Sequence, residues 1–184
     1  MKTLLKFIIY IALISGVFIL QMAFVGLLFF PFNRINIIFL FLILVNNFYP
    51  QSRTLWLILP FIFLLEIFSS LPFGLNSISF YLGLLSAHWV LQNLLTNRSV
   101  TTVFLSCLIS LFIYRFSFLS LLVAFRFFNH TTPSVGLGMM LIDYTAEIII
   151  TSSLTALIYF FAVTFIKKLS PRYYHGSISQ RRSI

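Results

Sequence analysis

Long apolar runs separated by short polar breaks set the pattern of this chain. The runs are Phe7 to Phe30, Ile35 to Tyr49, Thr54 to Ser69, Ser77 to Leu95, Thr101 to Phe125 and Gly136 to Ile166. The breaks read PFNR, PQSR, LPFGL, TNRSV and RFFNHTTPS, and their Pro, Gly, Asn and Arg residues are suitable helix ends. About 20 apolar residues cross a bilayer as a helix at 1.5 Å per residue. The pattern therefore predicts an all-α, polytopic membrane bundle of about six transmembrane helices, the second being the shortest. No linker, repeat or low-complexity block divides residues 1–184, which predicts a single membrane domain.

Composition supports this reading. Hydrophobic residues make up 60% of the 184, with 24 Phe, and only 8% are charged, a balance unsuited to a soluble domain. The net charge of +9 raises the possibility of nucleic acid, but no segment provides a soluble surface on which a basic face could form. The first run is longer than a signal-peptide core and lacks a small-residue cleavage site, so it is expected to remain as the first span. The lone Cys107 lies in an apolar stretch and is expected to pack there.

Basic residues orient the bundle, because positively charged loops stay on the cytoplasmic side. With both termini inside, nine fall in the cytoplasm: Lys2, Lys6, Arg53, Arg98, Lys167, Lys168, Arg172, Arg181 and Arg182. Arg34 and Arg126 fall outside, and Arg115 lies within a span. The tail from Lys167 to Ile184 carries five of these charges, which suit anionic lipid headgroups at about 1 kcal/mol each.

All three acidic residues, Glu66, Asp143 and Glu147, fall inside predicted spans, as do Arg115 and His88. A charge at the centre of a membrane helix costs roughly 2.5–3.5 kcal/mol, so these groups should face one another or a wet cavity. Arg115 is ten residues before Phe125 and Glu147 eleven after Gly136, which places both about 15 Å below the outer surface. Asp143 is one turn from Glu147, and His88 falls at a similar mid-membrane depth. The expectation is one polar layer of Arg115, Asp143, Glu147 and His88. It would serve as an ion-paired register lock or, alternatively, as a proton or cation path.

No catalytic triad, phosphate-binding loop or set of metal ligands at suitable spacing is present. The expectation is a non-enzymatic protein without metal or cofactor. Small-xxx-small pairs at Ala12 and Gly16, Gly83 and Ala87, and Ser152 and Ala156 are suited to close helix approach.

The stretch LEIFSSLPFGLN, Leu65 to Asn76, places a carboxylate beneath a tight turn. Ser69 and Ser70 can satisfy helix-end groups, Pro72 and Gly74 form the turn, and Asn76 with Ser77 can cap the fourth helix. Glu66, near the outer end of its span, can receive the backbone N–H groups of the loop that follows. This acid, small residue and Pro-x-Gly-x-Asn order resembles the MreD family of bacterial rod-shape-determining membrane proteins. The likeness extends loosely over Asn36 to Arg115. Glu66 stands where that family usually carries Asp, and Phe63-Leu64-Leu65 replaces its usual preceding Gly.

The resemblance implies a component of the cell-elongation machinery in a bacterial cytoplasmic membrane. Such a protein would scaffold an MreC-like partner and, through it, wall-synthesis enzymes, with Glu66, Ser69, Pro72, Gly74 and Asn76 forming the interaction hairpin. The family's fold is similar to the substrate-binding membrane subunits of energy-coupling-factor vitamin transporters, which supplies an alternative. In those subunits a small-xxx-small motif on the first span docks the transport module, and Ala12 to Gly16 would fit that place.

Overall fold

The computed structural model describes residues 2–48, 54–69, 71–94, 99–129 and 137–169. These form six α-helices and no strand among the described residues: α1 (Lys2–Leu27), α2 (Ile37–Phe48), α3 (Thr54–Ile67), α4 (Leu75–Asn93), α5 (Val100–Asn129) and α6 (Leu137–Leu169). A single 3-10 turn, Phe32–Arg34, lies between α1 and α2. Ser70, Arg53, Arg98, Arg172, Arg181, Arg182 and the side chains of Lys167 and Lys168 lie outside the described residues.

Among the described residues, two helices are long and apolar enough to cross a bilayer. Their stretches, Val100–Phe125 and Met140–Phe165, are 26 residues each, or about 39 Å. Both stretches are largely unburied within the bundle. They turn Phe112, Phe116, Ile149, Phe161 and Phe165 outward. Phe29 and Phe73 are almost fully exposed, at 89% and 86%. A surface of this kind suits hydrocarbon rather than water.

Helix α2 is the centre of the bundle. At 12 residues it is about 18 Å long, short of a 30 Å hydrocarbon core. It contacts all five other helices and buries Ile38, Phe39 and Ile43 completely. Phe39 joins Phe80 of α4 and Tyr114 of α5 in a three-ring cluster with centroids 5.4–5.8 Å apart. Such edge-on and offset ring contacts contribute about 0.5–1.5 kcal/mol each beyond buried area. Helix α3, 14 residues with Pro60 inside it, is also short. The first helix stops at Leu27, three residues before the end of its apolar run, because the chain turns there into the connector that carries Pro31.

The most extensive packing joins α4 to α5, followed by α5 to α6. Gly83 makes the first of these possible: a Cβ built there would stand 2.7 Å from Tyr114 Cβ and 3.0 Å from the Ser110 carbonyl oxygen. Ser110 Oγ donates to the Gly83 carbonyl across this close approach. Because backbone atoms block the space, Gly83→Ala should lower stability by about 1–3 kcal/mol, measured as a fall in thermal midpoint in detergent. A Cβ at Gly16 would meet nothing within 4 Å, so the Ala12 and Gly16 pair is not used to seat a described helix.

Candidate functional site

The connector between α1 and α2 packs against α1 and α6 and builds a polar region there. Gln21 of α1 holds it in place. Its Oε1 accepts from Ile37 N at 2.5 Å and its Nε2 donates to the Ile35 carbonyl at 3.1 Å. Asn36 is the side-chain cap of α2, with Oδ1 accepting from Phe39 N at 3.0 Å. The same residue reaches α6 twice, donating from its backbone to Thr151 Oγ1 and from Nδ2 to Glu147 Oε1, both at 3.1 Å.

Glu147 is buried with both oxygens engaged, Oε1 by Asn36 and Oε2 by the Arg115 guanidinium. Arg115 lies over two tyrosine rings, with its central carbon 4.6 Å from the Tyr114 centroid and 4.5 Å from that of Tyr144. With the Phe118 ring at 5.9 Å as well, this guanidinium is compensated by one carboxylate and three aromatic rings. Its Nε is buried and has no hydrogen-bond acceptor among the described residues.

Two expectations for the polar layer require correction. Asp143 pairs with Arg34 at 2.7 Å, not with Arg115. The Arg115 guanidinium is committed to Glu147, and one turn along α6 the neighbouring group is the connector, which brings Arg34 inward. His88 is not a member of the layer. Its Nδ1 lies 3.0 Å from Asn46 Oδ1 and its Nε2 2.8 Å from Gln92 Nε2. Gly83 is level with Tyr114, so His88, five residues along α4, stands about 8 Å away from that level toward the other end.

A cavity of about 400 Å³ opens between the connector, α5 and α6. Arg34, Arg115, Asp143, Glu147, Tyr144 and Asn33 are among its lining residues. Spacing and depth along the chain do not single out Arg34, Asn36, Gln21, Thr151 or the two tyrosines as site residues. Signals for some of them were present: Asn36 directly precedes an apolar run, as a helix cap does, and Gln21 is the sole amide in the first run.

The second polar assembly is the turn between α3 and α4. Glu66, only 6% exposed, accepts from Gly74 N through Oε1. Its Oε2 accepts from Ser77 N at 3.1 Å and from Ser77 Oγ at 2.5 Å. Ser69 Oγ accepts from Asn76 Nδ2 at 2.9 Å and from Leu71 N at 3.2 Å. The Pro72 carbonyl accepts from Leu75 N at 3.4 Å.

Helix α4 begins at Leu75, so Asn76 and Ser77 lie within its first turn rather than capping it. The N-cap is Gly74, whose φ of +98° a side chain would resist. Having no side-chain oxygen, Gly74 leaves the capping to the Glu66 carboxylate from the preceding helix, where the N-terminal dipole also favours negative charge.

Among the described residues no group of three or more His, Cys, Asp or Glu side chains could hold a metal ion. Comparison with protein-family models, curated proteins and solved structures finds no match.

Proposed function

We propose that this chain is a non-enzymatic, MreD-like scaffold with six membrane spans and both termini in the cytoplasm of a bacterium. In that role it holds an MreC-like membrane protein and, through it, wall-synthesis enzymes. The carrying observation is the α3–α4 hairpin. Its carboxylate and serine hydrogen bonds fix the turn, while Phe63, Ile67, Phe68 and Phe73 around it are exposed. A rigid turn with outward apolar side chains loses little entropy when another membrane helix packs against it. The excess of Lys and Arg assigned to the cytoplasmic side supports the orientation, and the basic tail would rest on anionic lipid.

The cavity beside Arg115 favours a second reading, a substrate-binding membrane subunit like those of energy-coupling-factor transporters. Purification of the tagged full chain from native membranes in mild detergent separates the two. The scaffold reading expects a co-purifying protein with a single membrane anchor and a large extracytoplasmic domain. An associated ATPase module would replace it with the transporter reading.

A further inference from the structure

The cavity beside Arg115 is lined by two cations and two anions, arranged as two ion pairs whose carboxylates stand on neighbouring turns of α6. Asp143 and Glu147 are i,i+4 neighbours, so the pairs are about 6 Å apart. They differ in availability. Glu147 has both oxygens occupied and its side chain is 5% exposed, so it is closed to any newcomer. The Arg34 and Asp143 side chains are 45% and 31% exposed and joined by a contact of 2.7 Å, the kind of exposed pair that holds together weakly. Arg115 keeps 19% of its side chain exposed beside this space.

We infer that the cavity is a binding site for a small zwitterion, whose anionic end lies against Arg115 and Arg34 and whose ammonium end lies against Asp143. Charge balance selects this class. The four lining charges sum to zero, so a ligand with net charge would leave one charge uncompensated, and an uncharged ligand would give neither Arg34 nor Asp143 a replacement partner. A zwitterion can open the exposed Arg34 to Asp143 pair and give each partner a replacement. The volume of about 400 Å³ falls within the range of roughly 300–1,000 Å³ usual for small-molecule sites. The Tyr144 ring, already stacked on Arg115, forms an aromatic wall beside both charges. The same chemistry is offered by a free amino acid and by an ethanolamine phospholipid headgroup. The inference goes beyond both functional readings and depends on neither.

The test uses the full-length protein in detergent and in nanodiscs. In detergent, thermal shift and calorimetry are run with glycine, β-alanine, γ-aminobutyrate and ε-aminocaproate, with acetate and ethylammonium as singly charged controls. In nanodiscs, native mass spectrometry compares retention of phosphatidylethanolamine with that of phosphatidylglycerol. Saturable binding of one or more of the amino acids, with none of the controls, identifies a free solute; selective retention of phosphatidylethanolamine identifies a headgroup.

Asp143→Asn, which removes one charge from a side chain that is 31% exposed, should weaken the positive arm about tenfold or more, with the unliganded melting of the variant recorded beside its binding. Absence of binding in both arms, equal binding of controls, or wild-type affinity in Asp143→Asn would overturn the inference. Capture of an MreC-like partner or of an ATPase module is scored separately, so neither functional reading falls with it.

Discussion

Replacing Arg115 with alanine lowers the stability of the detergent-solubilised protein by about 3–5 kcal/mol, whereas Arg34→Ala lowers it by about 1 kcal/mol or less. Both side chains are arginines paired to carboxylates of α6, and they differ in what their loss leaves behind. Without Arg115, Glu147 stays buried with the Asn36 amide as its remaining side-chain partner, and Tyr114 and Tyr144 lose the cation against their rings. Without Arg34, Asp143 still has solvent or headgroups at hand, since its side chain is 31% exposed. Thermal unfolding of the two variants, with Glu147→Gln and the Arg115→Ala/Glu147→Gln double variant, measures the coupling directly. A double variant more stable than Arg115→Ala identifies the stranded carboxylate as the cause. Equal melting of Arg115→Ala and Arg34→Ala would mean that the pair carries no such weight.

The parts of this architecture that were legible in the sequence are those fixed by short separations or by depth. Glu66 and its acceptor duties span eight to eleven residues, so a carboxylate placed just before a Pro-x-Gly turn already implied contact with the following N–H groups. The common depth of Arg115 and Glu147 followed from counting residues to the polar breaks. Counting also puts Asp143 beside the same cavity, but it does not fix which way a side chain points around a helix, so the partner of Asp143 is Arg34 rather than Arg115; for His88 the depth itself fails, because α4 meets α5 through Gly83, five residues away. Asp143 turns to a connector whose inward fold depends on Gln21, and His88 turns to Asn46.

The central place of α2 was hidden for a related reason. In the sequence, IIFLFLILVNNF is apolar whether it faces lipid or five other helices, so composition cannot separate the two. What decides it is tertiary: Gly83 brings α4 within reach of α5, and the rings of Phe39, Phe80 and Tyr114 meet around α2.

Glu66→Ala is expected to lower stability by about 2–4 kcal/mol, the second largest effect, and to loosen the start of α4 first. The carboxylate serves two backbone N–H groups, those of Gly74 and Ser77, together with the Ser77 hydroxyl. Gly74 has no side chain to take over, and each buried donor left without an acceptor costs about 1–3 kcal/mol. Glu66→Gln should fall between wild type and alanine: it keeps one acceptor oxygen but sets an amide N–H₂ against a backbone donor and removes the negative charge from a helix N-terminus. Ser69→Ala, which removes the acceptor for Asn76 and Leu71 and leaves the carboxylate in place, should cost about 1 kcal/mol. Hydrogen exchange at the amides of Gly74 and Ser77 follows the cap itself, and capture of a membrane partner follows the surface that the cap supports. If exchange at these amides stays slow in Glu66→Ala, the carboxylate is not the cap. If Glu66→Gln speeds exchange yet captures its partner as wild type does, turn rigidity is irrelevant to assembly and the hairpin loses its place in the proposed scaffold.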